Sequence, residues 1–82
     1  MNESIRRVVA EHGNLPVDVA SLGDDDDLYA AGLTSHAVVN VMLALEDELG
    51  VELPEALLRK STFRSVSSLH EAFAGLVEVA AP

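Results

Sequence analysis

Apolar residues recur at helical spacing in three stretches of this 82-residue chain. Ile5, Val8 and Val9 form one stripe, which predicts a helix from about Glu3 to His12, with Gly13 placed to close it. Val38, Val41, Met42, Leu45 and Leu49 lie on one face of a second helix, from about Ser35 to Leu49, ended by Gly50. Val66, Leu69, Phe73, Leu76 and Val77 share a face of a last helix that Ser65 can cap. Pro54 suits the first position of a short helix through about Arg59. The tail Ala80-Ala81-Pro82 is expected to fray. Between Gly13 and Thr34 runs a long connection interrupted by Pro16 and Gly23. Leu15, Val17, Val19, Leu22, Leu28 and Tyr29 can pin it to the helices. No clear period-2 run is present, so the expectation is an all-α, four-helix bundle: three main helices, one short helix and a long first loop.

The second helix carries a further stripe: His36, Val39, Asn40, Leu43 and Asp47, flanked by Glu46. A helix in so small a domain needs only one buried face. The mixed stripe is therefore either additional core or a docking surface, and its polar members favour docking. Composition fits thin, closely packed helices: eleven alanines, two Phe, one Tyr and no Trp. The length suits one domain, 1–82.

Net charge is -9, and its placement carries more information than its size. Nine acidic residues and no basic one lie between Asp24 and Glu55, while Arg6, Arg7, Arg59, Lys60 and Arg64 lie outside. Such a field disfavours nucleic acid and anionic membranes and attracts basic protein surfaces. The chain has no cysteine, which removes disulfides, thiolate nucleophiles and thiolate metal sites. The N-terminal stretch has no signal-peptide core, and no apolar run is long enough to span a bilayer; a cytoplasmic monomer is expected.

Catalytic patterns fail on spacing. Ser35 and His36 are adjacent, and helix neighbours do not face each other. A nucleophile elbow needs glycine two residues either side of the serine, where Leu33 and Ala37 stand. His12 and His70 read as solvated helix-surface residues. An EF-hand loop begun at Asp24 would place Leu28, Tyr29 and Ser35 at its fifth, sixth and twelfth positions, so that pattern fails too. A solvated acidic loop is the expectation, with no metal site. Gly32 reads as a turn residue of positive φ that brings the loop close to the following helix.

Ser35 keeps two readings. It is a helix N-cap, a role Thr34 could fill equally well, or it is an exposed hydroxyl open to modification. A phosphate placed there would meet unpaired N–H groups and the positive end of a helix dipole.

The segment Asp27-Leu28-Tyr29-Ala30-Ala31-Gly32-Leu33-Thr34-Ser35 resembles the pattern around the modified serine of the acyl and peptidyl carrier proteins. Val41 to Leu49 and Glu52-Leu53-Pro54 resemble the second helix and the third-helix start of the fatty-acid carriers, and Thr62 to Val66 resembles the turn into their last helix. Thr34 and His36 depart from the Asp or His before the serine, and the leucine after it, that are common in that family. The Leu-Tyr-Ala-Ala stretch followed by Gly-Leu-Thr-Ser is similar to the stand-alone bacterial aminoacyl carrier proteins. The resemblance implies a four-helix carrier-protein bundle without catalytic residues, with covalent 4′-phosphopantetheine on Ser35. It further implies three partners: a phosphopantetheinyl transferase, a loading ligase related to class II aminoacyl-tRNA synthetases, and a downstream acceptor. His36, Val39, Asn40, Leu43, Glu46 and Asp47 form the expected partner face. An acyl carrier for fatty-acid or polyketide synthesis, an unmodified helical adaptor and a small hydrolase built on Ser35 are the alternatives.

Overall fold

Three α-helices carry the fold in a computed structural model that describes residues 1–80, with side chains through 77: α1, Asn2–His12; α2, Ser35–Leu49; and α3, Val66–Ala80. Of the tail expected to fray, Ala80 closes α3, and 81–82 lie outside the described residues. The predicted apolar stripes meet in one core. Ile5, Val8 and Val9 of α1, Val41 and Leu45 of α2, and Val66, Leu69 and Phe73 of α3 are all buried. Leu76 and Val77 are half-buried near the far end of α3.

The expected fourth helix does not form. The chain from Pro54 to Arg59 makes a 3-10 turn at Glu55–Leu57, and a second 3-10 turn follows at Lys60–Phe63. An isolated segment of this length cannot repay helix nucleation. Tertiary contacts instead select two single turns, the second placing Thr62 and Phe63 in the core. The four-helix count is thus corrected to three helices joined by short 3-10 turns.

Helix ends follow local chemistry. Gly50 takes φ +66, and its N–H reaches Glu46 O, as does that of Val51 at 3.1 Å. At the end of α1, Gly13 stays right-handed and Asn14 takes the left-handed position at φ +54. Gly13 is still the C-cap, as expected, its N–H donating to Val9 O at 2.8 Å, and asparagine tolerates the left-handed region after it better than most residues. Ser65 caps α3 as anticipated: its Oγ accepts Ser68 N–H at 3.0 Å, and Ser68 Oγ accepts Ser65 N–H at 2.9 Å.

The first loop is stitched down along its length. Val19 and Leu28 are buried, Leu15, Leu22 and Tyr29 are half-buried, and Val17 is exposed, contrary to its expected pinning role. An unforeseen 3-10 turn spans Val19–Ser21. From α1, Arg6 donates to Val19 O (3.1 Å), Leu22 O (2.8 Å) and Asp24 Oδ1 (2.5 Å). Leu28 N–H donates to Arg64 O (2.7 Å), and Ser67 N–H to Asp24 O (2.9 Å), which ties the loop to the start of α3. In the acidic run Asp24 to Asp26 are exposed and Asp27 is half-buried, and the run is organised: Asp26 Oδ2 accepts Gly23 N–H, and Asp27 Oδ1 accepts Tyr29 N–H. No described helix is long and apolar enough to cross a membrane.

Candidate functional site

The start of α2 is built by the loop before it. Gly32 sits at φ +121, where an added Cβ would stand 2.6 Å from Pro16 Cδ. The positive φ read from the sequence therefore holds, and the close approach is to Pro16 of the first loop rather than to the following helix. Leu33, buried at 5% exposure, then anchors the chain, a core role the sequence reading did not assign. Its N–H donates to Leu28 O at 2.9 Å, closing the turn from Leu28 to Leu33.

Thr34 is the N-cap. Its Oγ1 accepts Ala37 N–H at 3.1 Å, and its carbonyl accepts Val38 N–H at 3.0 Å. The two readings of Ser35 are thereby separated. Ser35 is the first helical residue, is exposed, and has a hydroxyl free of capping duty. The N–H groups of the first turn and the dipole's positive end face the same solvent. A phosphodiester on Ser35 Oγ fits this position, because hydroxyl, donors and access coincide.

Ser35 opens onto a mainly apolar groove between α2 and the 3-10 segment. Val38, Val39 and Met42 line one side, Leu58 and Phe63 the other, and Arg59 and Lys60 add positive charge. Lys60 Nζ lies 4.9 Å from the centre of the Tyr29 ring, and Tyr29 OH donates to Lys60 O at 3.1 Å. Burial, then the Asp27 carboxylate, raises the Tyr29 hydroxyl above its ordinary value of 10.0.

The anticipated partner face divides in space. His36, Val39, Asn40, Leu43 and Asp47 are all exposed, with Val39 at 50% and Leu43 at 54%. Val39 borders the Ser35 groove; Asn40, Leu43 and Asp47 border a second, more polar groove against α1, beside Glu11 and His12. Glu46 is half-buried and turned to structural use: its Oε2 accepts Leu53 N–H at 2.7 Å, fixing the chain after α2. The sequence reading missed Leu58, Arg59 and Lys60 beside the serine. An isolated leucine pair in an otherwise polar short segment was the available signal, but only the fold carries it across to α2.

No histidine is among the residues lining the Ser35 groove; His12 lies on the α1 side and His70 on α3. His70 is half-buried rather than solvated, with Nδ1 shielded from solvent. A serine–histidine hydrolytic pair is not assembled among the described residues. Nor does any group of three or more His, Asp or Glu side chains among them converge to hold a metal.

Comparison with known proteins agrees with this geometry. The sequence profile of a family described as "Phosphopantetheine attachment site" matches residues 3–72. The chain is 41% identical over 71 residues to the aminoacyl carrier protein of Agrobacterium fabrum, covering 87% of this chain and 86% of that protein. It also resembles a chain in the crystal structure of an engineered Bradyrhizobium japonicum glycine:[carrier protein] ligase complexed with a carrier protein from Agrobacterium tumefaciens and AMP. There the TM-score is 0.88 at 39% identity, covering 90% of this chain and 99% of that one. A chain in the Bradyrhizobium japonicum ligase complexed with glycylated carrier protein matches with TM-score 0.75 at 28% identity, covering 87% and 95%.

Proposed function

Because this chain belongs to the phosphopantetheine-attachment family of carrier proteins, we propose that Ser35 bears the 4′-phosphopantetheine arm and that the cargo is an amino acid. Proteins of this family are carriers and catalyse nothing themselves. The observation that supports Ser35 is its place: exposed, first in α2, and relieved of capping by Thr34.

On a phosphopantetheinyl transferase with Mg²⁺, Ser35 Oγ attacks the β-phosphate of coenzyme A. The Oγ–P bond forms, the P–O bond to the adenosine-bearing phosphate breaks, and the serine proton passes to a base on the transferase. The helix start then holds the anionic phosphodiester, an effect worth about 0.3–1 kcal/mol at an exposed site. The arm's thiol supplies sulfur that a cysteine-free chain lacks and carries the acid as a thioester. Loading falls to an amino acid:[carrier protein] ligase, the kind of enzyme with which the structural relatives are complexed.

The partner face is centred on Val39 and Leu43. His36, Asn40 and Asp47 surround them, and Glu46 holds the helix end in place. Transient docking of this type is fast and salt-sensitive.

Intact mass after incubation with coenzyme A and a promiscuous transferase tests the assignment. The wild-type chain gains the mass of the arm and Ser35→Ala does not. A chain that stays unmodified is an adaptor built on a carrier fold, and a Ser35→Ala chain that is still modified moves the site elsewhere.

A further inference from the structure

Val39 and Leu43, one turn apart on α2, form an exposed apolar ridge between two grooves of unlike charge. On one side stands the 3-10 segment with Leu58, Arg59 and Lys60, the first basic residues after the long acidic span. Leu58 is 48% exposed and Val39 50%, so two apolar side chains border the groove that Ser35 opens onto. Lys60 is not a freely swinging charge: its ammonium lies over the Tyr29 ring, and its carbonyl holds the Tyr29 hydroxyl.

On the other side stand Glu11 of α1 and Asp47 and Glu48 of α2. Arg7 pairs with Glu48, which leaves Glu11 and Asp47 as the excess negative charge of that wall. His12 Nε2 lies 3.8 Å from Glu11 on the same wall.

We infer that the α2 ridge is the centre of a polarised docking surface, basic along Leu58–Lys60 and acidic along α1, taken by a loading enzyme of the opposite polarity. The inference rests on the carrier reading and adds which partner surface fits and in which rotation. A uniformly acidic helix would accept a basic surface in several rotations about its axis. A change of sign across the ridge removes that freedom, because a partner turned by half a revolution meets like charge on both sides. The walls are separated by about the 10 Å width of a helix, close to the Debye length of about 8 Å in physiological salt. A partner therefore senses the separate signs only near contact. The net charge of -9 governs the approach, and the polarity sets the register that presents Ser35.

The test uses holo chain whose arm has been verified by intact mass, with the glycine:[carrier protein] ligase of Bradyrhizobium japonicum, ATP and glycine as probe. Arg59→Glu with Lys60→Glu should raise the KM for the carrier by about tenfold or more while leaving kcat within about twofold. Asp47→Lys should raise KM by a similar factor, both losses should shrink in 0.5 M salt, roughly a 4 Å Debye length, and Glu3→Lys, which alters the net charge as much as Asp47→Lys but lies outside both grooves, should raise KM far less. Unaltered KM in the Arg59/Lys60 variant overturns the inference. So does concentration-dependent dimerisation that this variant abolishes, which would make a second copy the occupant. Failure of the wild-type holo chain to accept glycine sinks the aminoacyl reading instead, a result distinct from an unmoved KM.

Discussion

Thr34 and Ser35 differ by one position and divide two tasks. The threonine hydroxyl closes the helix start, and the serine hydroxyl beside it stays free. From sequence the two were interchangeable as caps, since both are good N-cap residues; the Ala37 N–H hydrogen bond decides between them. Tyr29 offers a separate test at this scale. Its folded pKa lies above the ordinary value of 10.0, so the native state retains the phenolic proton longer than the unfolded chain does. Its contribution is fully present below pH 10 and is lost as the pH rises through the raised value. Urea unfolding at stepped pH above 9 should show wild-type stability falling more steeply than that of Tyr29→Phe, and parallel curves would remove this role.

At the scale of elements, α2 shows two faces with different duties. Leu45 is fully buried, and Leu43, two residues earlier, is 54% exposed. Leu43→Asp should leave the unfolding free energy from urea titration within about 0.5 kcal/mol of wild type while weakening loading by the ligase. Leu45→Ala should cost about 2–5 kcal/mol, a large share of the roughly 4–12 kcal/mol expected of a domain this size. Loss of helicity in Leu43→Asp would place that face in the core. The three main apolar stripes, the Gly50 terminus and the Ser65 cap were legible because periodicity and capping are local. The segment after Pro54 was not: its length is marginal for a helix, and contacts with the core divide it into two 3-10 turns.

For the whole molecule, the first loop is the part that sequence explains least. Its 20-odd residues would count against a compact domain, yet Arg6 gathers Val19 O, Leu22 O and Asp24 onto α1. Arg6→Ala should destabilise the fold by about 1–3 kcal/mol and speed hydrogen exchange at the Leu28 amide, which bonds to Arg64 O. Unchanged exchange there would mean that apolar pinning alone holds the loop. This loop also sets the site, because Gly32 packed on Pro16 and Leu33 in the core decide where α2 begins.

The three main helices, their apolar faces, the acidic span and the candidacy of Ser35 are properties of neighbouring residues, so the chain alone determined them. Tertiary structure decided that Thr34 takes the cap, that Glu46 serves the turn after α2, and that Leu58, Arg59 and Lys60 face Val39 across a groove. These pairs are joined by packing between distant segments or by a choice among equivalent donors, and neither leaves a periodic signature in the sequence.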